Sequence, residues 1–231
     1  MDSPPLSAVI FDLDGVISDT QRLHEEAELA LLSAHNIRIA PGAFAAEFAG
    51  VSDSDMFKTL QARYSRFTIS FDDFVARKKD KLEELLREGV PSVPGAISLV
   101  RRAASLGFRL AIASGSERCF IERVVRELGV DQHFHATVSS DEVAKGKPAP
   151  DVFVEAARRV GAQPGECVVI EDGKNGMLAA VLAGMRCIGY APNPHGWYPT
   201  NELVRSLHDI TDDLLRGPRG KGGSTAAQSG A

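Results

Sequence analysis

Ala8-Val-Ile-Phe-Asp-Leu-Asp-Gly-Val-Ile17 runs from four apolar residues straight into two carboxylates, Asp12 and Asp14, one residue apart. A short, continuously apolar run bounded by a glycine turn reads as a strand buried on both faces of a parallel sheet. The aspartates then emerge at its carboxyl end, where open α/β sheets bind ligands. Side chains two apart on a strand point the same way, so both carboxylates face one spot. Two anions that close repel unless a cation lies between them, and oxygen ligands in a tight loop suit Mg²⁺.

Asp-x-Asp-Gly also begins a calcium loop, but that loop wants a third oxygen residue before its glycine and a glutamate six residues after it. Here Gly15 follows Asp14 at once and Gln21 occupies the later position. Partners appear at other strand ends instead. Phe108-Arg-Leu-Ala-Ile-Ala-Ser-Gly-Ser116 is a second apolar strand; it delivers Ser114 and a glycine turn, and a helix follows through Ile121, Val124, Val125 and Leu128. A hydroxyl and free N–H groups at a helix N-terminus bind anions. Lys145-Gly-Lys-Pro-Ala-Pro150 sets Lys147 just before a helix through Val152, Phe153, Ala156 and Val160. Cys167-Val-Val-Ile-Glu-Asp-Gly173 is a third apolar strand, ending in Glu171 and Asp172. Singly, Ser114 reads as a helix cap, Lys147 as a solvated loop charge and Glu171-Asp172 as a turn. Coincidence of all of them in one β-α repeat is improbable.

With these four elements the chain resembles the haloacid dehalogenase (HAD) superfamily from Ser7 to about Leu215. The resemblance implies a doubly wound, Rossmann-like α/β core with a small all-helical cap inserted after the first strand. It implies Asp12 as nucleophile and Asp14 as general acid/base, with Ser114 and Lys147 orienting and neutralising a phosphoryl group. It also implies Mg²⁺ held by Asp12, Glu171, Asp172 and the backbone carbonyl of Asp14. The residue types support the same chemistry. Phosphoryl transfer is mostly positioning and charge stabilisation, a carboxylate can form an aspartyl-phosphate, and a second carboxylate can move the protons.

The divisions expected are a core of residues 1–16 and 94–215, a helical cap over 17–93 and a disordered tail over 216–231. Cap helices are marked by Leu23, Ala27, Ala30 and Leu31, by Phe44, Phe48, Met56, Phe57 and Leu60, and by Phe71 to Leu86 with a stop at Gly89. The β-α alternation continues from a helix over 94–106 through strands at Ile188-Gly-Tyr190 and His208-Asp-Ile210. The tail is too polar and glycine-rich to pack.

The 231 residues are 44% hydrophobic and 25% charged, enough for a substantial core and a smaller appended unit. A net charge of −5 without a basic face argues against nucleic acid as a partner. No apolar run approaches a membrane span, and Met1-Asp-Ser-Pro-Pro5 has no secretory pattern. Three scattered cysteines, Cys119, Cys167 and Cys187, point to a reducing cytoplasm, with Cys119 expected as a packed thiol. A monomer acting on a small phosphate ester is expected.

The cap should choose the substrate. Asp19-Thr20 with His24, Gly50-Val-Ser52 and Arg77-Lys78 are similar to cap elements of the β-phosphoglucomutase branch. That likeness implies substrate binding by Thr20, His24, Gly50, Ser52 and Lys78, with Gly115, Ser116 and Arg118 completing the phosphate site. Asp53 and Glu117 stand where mutases of that branch carry cations, and like charges near a phosphate repel. Arg118 or Arg77 could substitute. The expectation is therefore a phosphatase of a sugar or sugar-acid phosphate. A β-phosphoglucomutase-type mutase is the alternative, and a catalytically silent sugar-phosphate sensor is the third reading.

Overall fold

The two most apolar segments, Ala8 to Phe11 and Cys167 to Ile170, lie side by side at the centre of one sheet. The computed structural model describes residues 6–48 and 51–217. Its strands are β1 (Ala8–Phe11), β2 (Arg109–Ser114), β3 (Ala136–Ser139), β4 (Cys167–Glu171), β5 (Arg186–Tyr190) and β6 (Glu202–Val204). Every neighbouring pair is parallel, in the order β3-β2-β1-β4-β5-β6. The chain builds outward from β1 to β3, then returns past β1 to build β4 to β6. That reversal leaves a crevice at the carboxyl ends of β1 and β4. Phe11 is in register with both Ile112 and Ile170, so Asp12 and Glu171 come next on adjacent strands.

Alternation along β1 serves both faces of the sheet. Val9 and Phe11 pack with Leu99, Val100, Ile121 and Val124 of α5 (Ala96–Ser105) and α6 (Arg118–Glu127). Ala8 and Ile10 pack with Val152, Phe153, Ala156 and Met177 of α7 (Asp151–Arg159) and α8 (Lys174–Leu182). Both faces being covered explains why the strands read as continuous apolar runs.

Between β1 and α5 come α1 (Gln21–Ala34), α2 (Pro41–Phe48), α3 (Asp53–Arg63) and α4 (Phe71–Leu85). Ser52 caps α3 by accepting from Asp55 N at 3.2 Å, and Ser70 caps α4 by accepting from Asp73 N at 3.1 Å. These helices enclose a cluster of their own, in which the Phe57, Phe67 and Phe74 ring centroids lie 5.4 to 6.0 Å apart. The outgoing and returning connections run together. Asp19 N donates to Pro91 O at 2.8 Å, Val93 N donates to Ile17 O at 3.2 Å, and Ser18 bridges to Ser92.

Four details differ from the sequence reading. The last strand is Glu202–Val204, whereas Leu207–Asp209 is a single 3₁₀ turn. Ser206 Oγ accepts from His208 N and Asp209 Oδ2 accepts from Ser206 N, so side chains take the bonds a ladder would need. On α1 the inward stripe includes His24, Glu28 and Leu32, while Ala30 is exposed. Cys119 is exposed on α6 instead of packed. Arg216 is the last residue of α9 (Asp212–Arg216), and residues 218–231 of the expected tail lie outside the described residues.

Phe74 is fully buried among aromatic rings of the helical cluster. Phe74→Ala is expected to cost about 3–5 kcal/mol of that cluster's stability. Hydrogen exchange should show the loss as reduced protection in α1 to α4, with β1 and β4 still protected.

Candidate active site

Asp12 and Glu171 are brought together by the pairing of β1 with β4, and both carboxylates are buried. Such a pair requires a cation, and Lys147 supplies it from the loop before α7. Its ammonium donates to Asp12 Oδ1 at 2.6 Å and Glu171 Oε1 at 2.8 Å, and lies 4.9 Å from the centroid of the Phe153 ring. Burial alone would discharge this lysine, but the two carboxylates outweigh it and hold its pKa above the ordinary value.

The cluster remains too negative. Burial, partly offset by Lys147, pushes Asp12 up to about 7. Asp172 is likewise raised, first by burial and then by Glu171 and Asp12. Three carboxylates thus share one buried ammonium. Two glycines let them approach. A Cβ on Gly176 would fall on the Glu171 carboxylate, and one on Gly15, whose φ is +90°, would fall on that of Asp172. Gly173 N donates to Glu171 Oε2 at 2.6 Å, fixing the second oxygen.

Asp14 sits in a different environment, although only Leu13 separates it from Asp12. Thr20 Oγ1 donates to its Oδ1 at 2.5 Å, and Ser116 Oγ donates to its Oδ2 at 2.7 Å. Ser114 Oγ reaches the same Oδ2 at 3.3 Å and accepts from Ser116 N at 3.0 Å. His24 Nε2 lies 3.2 Å from Oδ1 without hydrogen-bond alignment. Burial opposes ionisation of Asp14, but His24, Ser116 and Thr20 together hold its carboxyl well below the usual carboxylate range. The serine turn expected to bind an anion is therefore folded onto Asp14 here.

On the helical side Lys78 is also buried. Its ammonium lies 2.6 Å from Glu28 Oε1 and 2.5 Å from Asp53 Oδ1, so α1, α3 and α4 meet through one cation. A partly open cavity, about 550 Å³ with its solvent-open mouth included, joins this triad to Asp12, Asp14, Gly115 and Asp172. Ser52 faces the loop of Lys147, its Cβ 3.3 Å from where a Cβ on Gly146 would stand. Arg118 is turned away, with Nε 2.5 Å from Glu142 Oε1 and an N–H donated to Thr137 O at 2.7 Å. Arg77 is exposed on α4, and Gly50 lies outside the described residues.

Glu28 and Gly176 escaped the sequence reading. Glu28 occupies an acidic position inside an amphipathic pattern, where burial is the exception. Gly176 could have been suspected, since a glycine inside a helix usually has a packing reason.

Among the described residues no trio of His, Cys, Asp and Glu side chains already stands as a ligand cluster. The case for a cation is chemical: hard oxygen donors, an excess of buried negative charge, and two carboxylates pushed toward protonation in its absence. Asp12, Glu171, Asp172 and the Asp14 carbonyl fit a hard divalent cation. Glu171 uses both oxygens in other bonds, yet each carboxylate oxygen keeps a further lone pair.

Comparison with known proteins places this geometry. The family model of haloacid dehalogenase-like hydrolases matches residues 6–184. The bifunctional riboflavin kinase/FMN phosphatase of Arabidopsis thaliana is 31% identical over 214 residues, 88% of this chain and 54% of the relative. The chain thus spans about half of that protein's length. The fructose-1-phosphate phosphatase YqaB of Escherichia coli is 33% identical over 186 residues, covering 79% of this chain and 95% of the relative. A β-phosphoglucomutase structure from Clostridium difficile superposes with a TM-score of 0.78 at 25% identity, covering 91% of this chain and 95% of the other. With the parallel sheet, its switch point and the strand-end carboxylates, the match over residues 6–184 means that the chain belongs to the haloacid dehalogenase-like hydrolases.

Proposed function

We propose that the chain is a Mg²⁺-dependent phosphatase that hydrolyses a small sugar phosphate through an aspartyl-phosphate on Asp12. The observation that carries this reading is geometric: at the end of β1, Asp12 is fixed through Oδ1 by the Lys147 ammonium at 2.6 Å, and in the same cavity Asp14, one residue beyond, meets the serine turn through Ser114 and Ser116. Phosphatase relatives of similar length support it. The reaction belongs to a single chain in a reducing cytoplasm, a setting that three unpaired cysteines support.

Asp12 must be ionised to attack phosphorus, and its own surroundings resist that. A bound Mg²⁺ would supply positive charge that favours the carboxylate and offsets charge on the phosphoryl oxygens. Lys147 keeps Asp12 oriented by donating to its Oδ1 at 2.6 Å. Asp14, held ionised, is set to take a proton from the water that hydrolyses the aspartyl-phosphate. To protonate the leaving alkoxide in the first step it must carry that proton itself, so its contacts with Thr20, His24 and Ser116 must loosen as substrate enters. The helices α1 to α4 serve as a cap, excluding water and placing His24 and the Lys78–Glu28–Asp53 triad on the cavity wall.

A mutase shares the first half-reaction but must hold a bisphosphate while it turns around. Asp53 and Glu117 stand on the cavity walls where that second phosphate would need cations, which favours hydrolysis.

With a panel of sugar phosphates and Mg²⁺, inorganic phosphate should be released regardless of added hexose bisphosphate. Bisphosphate-dependent isomerisation without phosphate release would establish the mutase. Asp12→Asn should abolish turnover. Asp14→Ala should lower kcat by about 10²–10⁴-fold while Mg²⁺ binding persists by calorimetry, because that position offers a backbone oxygen.

The cation is tested by stability. Folding raises the pKa of Asp12 from 3.8 to about 7. The contribution to stability is therefore complete below 3.8 and is lost as pH rises through about 7. Mg²⁺ should accordingly raise the melting temperature more at pH 8 than at pH 5. An equal shift at both would argue against a cation at these carboxylates.

A further inference from the structure

Beside the catalytic cavity, sharing its His24, Asp53, Lys78 and Ser116 walls, lies a second, half-open chamber between α4 and α6, about 720 Å³ with its solvent-open mouth included. Val75 and Leu82 form its α4 wall and Phe120 its α6 wall. The Phe120 ring stands edge-on to the His24 imidazole, with centroids 5.0 Å apart. The apolar wall thus begins where the Asp14 network ends. A phosphate ester with phosphorus at Asp12 would extend its alcohol into this space.

The charges around the chamber are already matched. Lys78 is taken by Glu28 and Asp53 at 2.6 and 2.5 Å. Arg123 is taken by Glu83 and Glu127 at 2.6 and 2.7 Å. Arg118, on the same helix, is taken by Glu142. Lys79, exposed at the rim, is the one lining cation with no ion pair among the described residues. Glu117 lines the wall with no basic partner in hydrogen-bonding reach among the described residues; Cys119 Sγ, 3.5 Å away, is the group that donates to it. Asp141, close by, is raised by burial and then by Asp53 and Glu117, so these carboxylates sense one another.

A second phosphate or a carboxylate on the leaving group would therefore meet Glu117 and Asp53 without an uncommitted buried cation. An uncharged alcohol meets no such penalty and buries its carbon face on Val75, Leu82 and Phe120. We propose that this chamber selects monophosphates of uncharged alcohols with an apolar face, and that Glu117 and Asp53 exclude sugar-acid phosphates and bisphosphates. The inference rests on the phosphatase reading above and narrows its substrate class.

The test compares kcat/KM of the full chain with Mg²⁺ for neutral leaving groups (a hexitol phosphate, phenyl phosphate) and anionic ones (a hexose bisphosphate, an aldonic acid phosphate). The neutral esters should be preferred by about tenfold or more, with the difference mainly in KM and shrinking at high salt. Glu117→Gln should narrow the preference by about fivefold and Glu117→Lys by about tenfold or more. Phe120→Ser should raise KM for phenyl phosphate more than for the hexitol phosphate. Equal use of anionic and neutral esters, or a preference unmoved by Glu117→Lys, overturns the proposal while leaving a phosphatase. No hydrolysis of any ester, phenyl phosphate included, overturns the phosphatase reading and the selection with it.

Discussion

One buried ammonium holds the centre of this molecule: Lys147, 1% exposed, placed between Asp12 and Glu171. Taking three charges out of water costs several kcal/mol for each ion, and an apolar trio of similar volume would stabilise the sheet as well or better. The arrangement therefore makes little sense as a device for stability. It makes sense as a way to keep a carboxylate at the end of β1 with one oxygen fixed against an ammonium. The supporting features follow from that need. Phe153 offers its ring to the ammonium, Gly173 N takes the second oxygen of Glu171, and Gly176 leaves room for the carboxylate at the start of α8.

Lys78 repeats the device in the helical half. It too is buried, and it too is shared by two carboxylates, Glu28 and Asp53. The two lysines differ in what surrounds them. Around Lys147 a third carboxylate, Asp172, leaves negative charge in excess, a demand that a divalent cation would answer. Around Lys78 the charge is already overmatched, so it has little attraction to spare for a distant anion. Its pKa is held above the ordinary lysine value because Glu28 and Asp53 together outweigh burial. One site asks for a cation and the other has ceased to ask for an anion.

The parts of this picture set by short-range pattern were legible in the sequence. Buried strands read as apolar runs, and a carboxylate directly after such a run cannot avoid the carboxyl edge of the sheet, which is why Asp12, Ser114 and Glu171 were placed from their neighbours alone. The helices α1 to α4 announced themselves by period. What pattern could not reach were choices made by tertiary partners. Glu28 occupies a stripe position that composition assigns to solvent, and only the arrival of Lys78 from another helix makes its burial tolerable. Arg118 reads as a phosphate ligand by its place after the serine turn, yet Glu142 is nearer. His208 to Ile210 has the polarity of a short edge strand, and two side-chain bonds to the backbone decide for a turn.

The helices α1 to α4 bury a core of their own, and much of what crosses to the sheet is polar: Arg123 to Glu83 at 2.6 Å, and Asn175 Nδ2 donated to the Glu47 carbonyl at 3.2 Å. An apolar contact also crosses, where Phe120 meets the Leu23, Ala27, Leu82 and Leu86 cluster. Contacts of this mixed kind hold a position without locking it, and relative motion is the default for units joined by such an interface. Of the paired connections, the outgoing one lies next to Asp14: Ser18 bridges to Asp14 as well as to Ser92 and hydrogen-bonds Thr20. Any swing of the helices about these connections must therefore disturb Thr20 and His24, two of the three groups that keep Asp14 ionised. Opening the cleft and changing the proton affinity of Asp14 are, by that geometry, one event.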